Sequence, residues 1–140
     1  KYYEREMDEF MRGRDARGIW RGAFIERMDL AYAAADVVVA RSGAGTVSEL
    51  CLVGKTVVFV PSPNVAEDHQ TKNAMALADR GAALVVPDRE AVARVFSEAG
   101  RLLADDAVRS EMEKNIRALA VADSADRVAD EILKVVKRSE

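Results

Sequence analysis

Residues 35–49 read Ala35-Asp36-Val37-Val38-Val39-Ala40-Arg41-Ser42-Gly43-Ala44-Gly45-Thr46-Val47-Ser48-Glu49. Apolar residues surround a single Asp36, then five short or flexible positions follow, and a helix signal begins at Thr46. This is the pattern of a buried strand, a glycine-rich turn and a helix start. Such a join points backbone N–H groups, and the positive end of the helix dipole, at one spot that suits an anion such as a phosphate. A phosphorylated small molecule is therefore the expected ligand.

Working outward, Val57–Val60 and Ala83–Val86 are two more short apolar runs, stopped by Pro61 and Pro87. Continuous apolar strands alternating with helices mark a parallel sheet covered on both faces. Helices are expected at Tyr2–Met11, at Thr46–Val53 with Gly54 closing it, and at His69–Arg80 before Gly81. Three more follow Asp88, marked by Val92–Leu103, Met112–Leu119 and Val128–Val136. Ile19–Phe24 is expected to form a further short strand, with Gly22 permitting close backbone approach. The fold class is thus α/β, a Rossmann-like parallel sheet flanked by helices. In such sheets ligands sit beyond the carboxyl ends of the strands. Two loops, 41–45 and 61–68, leave such ends and carry the unusual residues.

One hundred and forty residues, 49% hydrophobic and 32% charged, describe one ordinary globular domain. The net charge of −3 argues against a nucleic-acid partner, since there is no basic excess to meet phosphates. The single Cys51 excludes an internal disulfide, makes no zinc pattern, and is expected as a small core residue in a reducing, cytoplasmic setting. No apolar run approaches the ~20 residues of a membrane span. The chain opens at Lys1 inside a helical stretch and reads as part of something longer.

Several residues carry two readings each. Gly43 and Gly45 either let a diphosphate approach the backbone or merely serve a tight turn, and the local pattern leaves both open. Thr46 and Glu49 have the spacing of a capping box, the preferred local reading; the alternative is a carboxylate accepting from two ribose hydroxyls. His69, Gln70 and Asn73 form H-Q-x-x-N at a helix start, either reading sugar hydroxyls or capping and facing water. Asp68 suits an N-cap. Arg41 either meets a phosphate or pairs with a neighbouring acid. Trp20 is expected to pack rather than stack on a base.

Taken together, Phe24-Ile25-Glu26-Arg27-Met28, Tyr32, the 35–50 stretch, Val58–Ala74 and Gly81-Ala82-Ala83 resemble the C-terminal half of the MurG family, bacterial transferases of lipid II synthesis. The likeness is dense over residues 19–87, the expected core, and compatible through the helices of 88–140. The resemblance implies the C-terminal half of a GT-B glycosyltransferase, incomplete at its N-terminus. Such a half is a partial UDP-sugar-binding domain. It implies that Ile25 reads the uracil edge through its backbone and that Ser42, Gly43, Ala44, Gly45 and Thr46 line the diphosphate and sugar. It reverses the preference at Glu49, which would hold the ribose, and gives His69, Gln70 and Asn73 to the N-acetylglucosamine. Some members carry glutamine where His69 stands.

The implied reaction moves N-acetylglucosamine from UDP-N-acetylglucosamine to undecaprenyl-pyrophosphoryl-N-acetylmuramoyl-pentapeptide (lipid I to lipid II), with inversion and with no cofactor or metal required. The implied location is the cytoplasm, peripheral on the inner face of the bacterial cell membrane. The family's first strand with its G-G-S-type loop, and its N-terminal domain carrying the lipid I acceptor site, the membrane-contacting surface and the general base, have no counterpart in these residues. No catalytic residue is therefore expected here. Two alternatives stay open: the donor-binding subunit of a two-component dolichol-linked transferase, or another GT-B UDP-sugar enzyme such as an epimerase. A plain dinucleotide-binding domain lacks its G-x-G-x-x-G here.

Overall fold

The computed structural model describes residues 2–15, 17–63 and 68–137. Residues 64–67, part of the expected loop after Pro61, lie outside them. The chain divides into two compact units, Lys1–Ala34 and Ala35–Glu140.

The first unit holds α1 (Tyr2–Met11) and α2 (Met28–Ala34). Ile19–Phe24, expected as a strand, is irregular. A strand exists only when a neighbour takes up its N–H and C=O groups, and no described segment pairs with this one. The close approach at Gly22 is to a side chain: a Cβ there would come within 2.7 Å of the Trp20 ring. That ring is 71% exposed rather than packed in a core.

The second unit begins with β1 (Val37–Ala40), α3 (Ala44–Val53), β2 (Thr56–Phe59), α4 (His69–Ala78) and β3 (Leu84–Val85). The strands are parallel in the order β1-β2-β3, with Val37 opposite Thr56, Ala40 opposite Phe59 and Phe59 opposite Val85. Every residue of β2 is buried, which is why its sequence is an unbroken apolar run apart from Thr56. The Thr56 hydroxyl donates to Arg109 O at 3.4 Å. After a single 3₁₀ turn at Asp88–Glu90 come α5 (Ala91–Leu103), α6 (Asp106–Arg117) and α7 (Ser124–Lys137). Helix α5 packs on β1 and β2, and α6 touches α3, α5 and β2. Val58, Val60, Val86, Val95, Leu102 and Met112 form one core cluster between sheet and helices.

Gly54 ends α3 as expected, in the left-handed conformation (φ 66°, ψ 46°), its N–H returning to Leu50 O. Cys51 is buried as expected of a core residue, and that burial pushes its thiol above the usual range. The predicted apolar stripes of α5 and α7 fare differently. Val95 and Leu102 are buried, but Val92 is 99% and Phe96 88% exposed, and the apolar residues of α7 are exposed throughout. Among the described residues no helix is long and apolar enough to cross a membrane.

Candidate functional site

The three parallel strands deliver their carboxyl ends to one edge, and three connections leave it. The connection after β1 is Arg41-Ser42-Gly43. Helix α3 begins at Ala44, two residues earlier than the sequence suggests, with Gly43 in the cap position (φ −63°, ψ 150°). Val47 N donates to Gly43 O at 2.9 Å, the first helical bond. The N–H groups of Ala44, Gly45 and Thr46 precede it and have no acceptor within the helix. Gly43 brings no side chain to them.

This geometry corrects the capping-box reading. Thr46 is the third helical residue rather than the cap, so Glu49 lies a further turn along, where a box cannot form. Glu49 is exposed, three and four residues beyond Thr46 and Gly45 and hence on their side of the helix. The tight-turn reading of the glycines also falls. Neither has a positive φ, and a Cβ built on Gly43 or Gly45 meets no heavy atom within 4 Å. Among the described residues nothing demands glycine at either position. What their lack of a side chain leaves open is the approach to the α3 N-terminus from outside.

The connection after β2 runs into α4, whose first residues are His69 and Gln70. Asp68 holds the cap position in a left-handed conformation (φ 56°), and its side chain makes no cap bond, contrary to the expectation. Gln70 and Asn73 tie this connection to the first one. The Ser42 hydroxyl, fully buried, donates to Gln70 O at 2.8 Å. Asn73 Nδ2 donates to Ser42 O at 3.1 Å, and Gln70 Oε1 accepts from Ser62 N at 2.9 Å. Four residues that lie up to 31 positions apart thus lock two loops into one surface. His69 is exposed on that surface.

Arg41 is engaged by the protein itself. Its Nη1 lies 3.1 Å from Val60 O and 3.2 Å from Pro61 O, and it pairs with the Asp88 carboxylate. Asp88 was not among the residues singled out in sequence. It stands two residues past the third apolar strand run, just after Pro87, so a third carboxyl-end connection was the signal available. Ile25 belongs to the first unit, in the irregular segment just before α2, and is half-buried. Of the eleven expected residues, ten therefore fall on the connection after β1 and on the two helices, α3 and α4, that follow the carboxyl ends of β1 and β2. Among the described residues there is no group of three or more His, Cys, Asp or Glu side chains able to hold a metal.

Comparison with known proteins points the same way. Residues 5–128 match the glycosyltransferase family 28 C-terminal domain. The UDP-N-acetylglucosamine–N-acetylmuramyl-(pentapeptide) pyrophosphoryl-undecaprenol N-acetylglucosamine transferase of Parabacteroides distasonis is 45% identical over 138 residues, covering 99% of this chain and 38% of the relative. Its namesake in Porphyromonas gingivalis is 54% identical over 114 residues, covering 81% and 30%. A crystal structure of Acinetobacter baumannii MurG superimposes with a TM-score of 0.78 at 34% identity, over 92% of this chain and 38% of that one. The chain thus spans about a third of the length of the curated relatives it matches. The resemblance read from the motifs, and the α/β class with its parallel sheet, are borne out.

Proposed function

Since the chain belongs to the family of glycosyltransferase family 28 C-terminal domains, we propose that it is the donor-binding part of an N-acetylglucosamine transferase, taking the sugar from UDP-N-acetylglucosamine and supplying it to undecaprenyl-pyrophosphoryl-N-acetylmuramoyl-pentapeptide. The observation that carries this reading is the bare α3 entrance. Two glycines that no described residue requires stand beside first-turn N–H groups with no acceptor within the helix, on a surface locked to α4.

In this reading the diphosphate rests against the N–H groups of Ala44, Gly45 and Thr46, where the helix dipole favours negative charge. Glu49 accepts from the ribose hydroxyls. His69, Gln70 and Asn73 border the sugar. An acceptor hydroxyl attacks the anomeric carbon from the opposite side, inverting it, while UDP leaves. The charge that develops on the leaving diphosphate is stabilised by fixed amide dipoles, so no metal is required. In this reading the acceptor site, and the base that takes the proton of the attacking hydroxyl, lie outside these residues, and the enzyme works at the cytoplasmic face of the membrane.

Glu49→Ala in the full-length enzyme tests the assignment. Calorimetry is expected to show UDP affinity reduced by about 1.5–3 kcal/mol per hydrogen bond lost from the carboxylate. Unchanged affinity rejects it.

A further inference from the structure

The donor site rests on two loops that leave different strands, and its shape depends on their mutual position. Arg41 is the first residue after β1 and leads directly into Ser42 and the α3 entrance. The β1–β2 ladder continues only as far as Val60 N donating to Ala40 O at 2.9 Å, because the chain then turns away toward α3. At that point the Arg41 side chain takes over from the backbone. Its Nη1 reaches Val60 O and Pro61 O, the two residues that lead from β2 into the α4 connection. The third acceptor is Asp88, which follows β3. One guanidinium nitrogen therefore gathers the carboxyl-terminal exits of all three strands.

The two carbonyls are neutral acceptors, and the only charged one is Asp88. Hydrogen bonds to an ionised acceptor are shorter and stronger than those between neutral groups. The carboxylate also compensates a cation that stands, half-exposed, beside a surface suited to phosphate. We propose that Asp88 is a positioning residue of the donor site. It fixes the Arg41 guanidinium against Val60 O and Pro61 O and so holds the α3 entrance in register with the α4 loop, without touching the donor. This inference rests on the donor-site reading above and assigns Arg41 to the same clasp in place of a phosphate contact. The pair is exposed, so it adds little to global stability. Its effect belongs to the geometry of the site, where a misplacement on the order of 1 Å is costly to catalysis.

Four variants of the full-length transferase test it: Asp88→Ala, Asp88→Glu, Arg41→Ala and the double Arg41→Ala/Asp88→Ala. Steady-state KM for UDP-N-acetylglucosamine and for the lipid acceptor are measured well below the melting temperature. Asp88→Ala is expected to raise the donor KM about tenfold with the acceptor KM unchanged. The double variant is expected to be no worse than Arg41→Ala alone, since both remove one clasp. Asp88→Glu is expected to recover most of the loss. Should Asp88→Ala fail to fold, Asp88→Asn, which keeps the shape and removes the charge, is read in its place. A raised donor KM for Arg41→Ala with none for Asp88→Ala overturns the clasp and makes Arg41 a direct contact. Equal changes in both KM values, with a lowered melting temperature, reduce the pair to a structural one and also overturn it. Glu49→Ala run alongside separates the two levels. If it leaves the donor KM unchanged the donor-site reading fails, whereas a change there with none at Asp88 rejects the clasp alone.

Discussion

At the scale of the residue, Gly45 separates a fold requirement from a binding requirement. It sits in the first turn of α3 with an ordinary helical φ and open space where a Cβ would stand. In the folded protein alone, Gly45→Ala is therefore expected to stabilise by about 0.5–1 kcal/mol, because alanine loses less backbone freedom in a helix. In the complex the new methyl occupies the approach of the diphosphate, and UDP binding is expected to weaken by about 1–3 kcal/mol. Thermal denaturation and calorimetry on the same variant read the two effects separately. A variant that gains stability and keeps full affinity shows that no ligand approaches at Gly45. Ser42 is the opposite kind of residue. Fully buried, with hydroxyl and carbonyl both bonded to α4, it shapes the surface from beneath.

At the scale of the element, α5 shows how surface charge supports a helix whose apolar face is only partly used. Arg94 lies 2.6 Å from Glu90 and 3.1 Å from Glu98, one turn to either side. The hydrogen bonds from Arg94 hold both carboxyls below their usual range. A carboxyl with a lowered pKa in the folded state contributes stability that is present above its unfolded value and disappears as pH falls through the folded one. Arg94→Met is therefore expected to lower the urea midpoint at about pH 7. The difference from the parent should shrink as the pH falls below the ordinary glutamate range of about 4 and on through the lowered folded values. A difference that persists undiminished in acid shows that Arg94 acts through its aliphatic stem instead. The three side chains are partly open to solvent, so screening keeps the effect a small one.

At the scale of the molecule, the second unit holds a three-stranded sheet with the candidate site on one edge, and the whole chain spans about a third of its relatives' length. A displacement needs an acceptor held in line and a group to take its proton, and the residues gathered at this edge are those proposed to hold a donor. The purified 140-residue chain is accordingly expected to give no product from UDP-N-acetylglucosamine and lipid acceptor. Measurable turnover by this chain overturns the division of labour proposed here.

Much of this was legible in the residues. Period and punctuation marked β1, β2, β3 and the helices α3 to α6, because unbroken apolar runs, Gly54 and the prolines at 61 and 87 act locally. The small residues at 42–46 marked the join of β1 to α3 for the same reason. Pairing and contact were not legible, since each depends on partners distant in the chain. Ile19–Phe24 has strand-forming residues and no strand, because a ladder needs a neighbour. Thr46 and Glu49 have the letters of a capping box, but the helix begins at Ala44, where the turn out of β1 allows it. Chain composition and local pattern thus determined the class of fold and pointed to the edge that carries the candidate site. Only the tertiary structure decided that Arg41 is held by Asp88, 47 residues away, and that Ser42 is locked to Asn73. Hydrogen bonds of that range are set by how the sheet brings its strand ends together, which no short stretch of sequence contains.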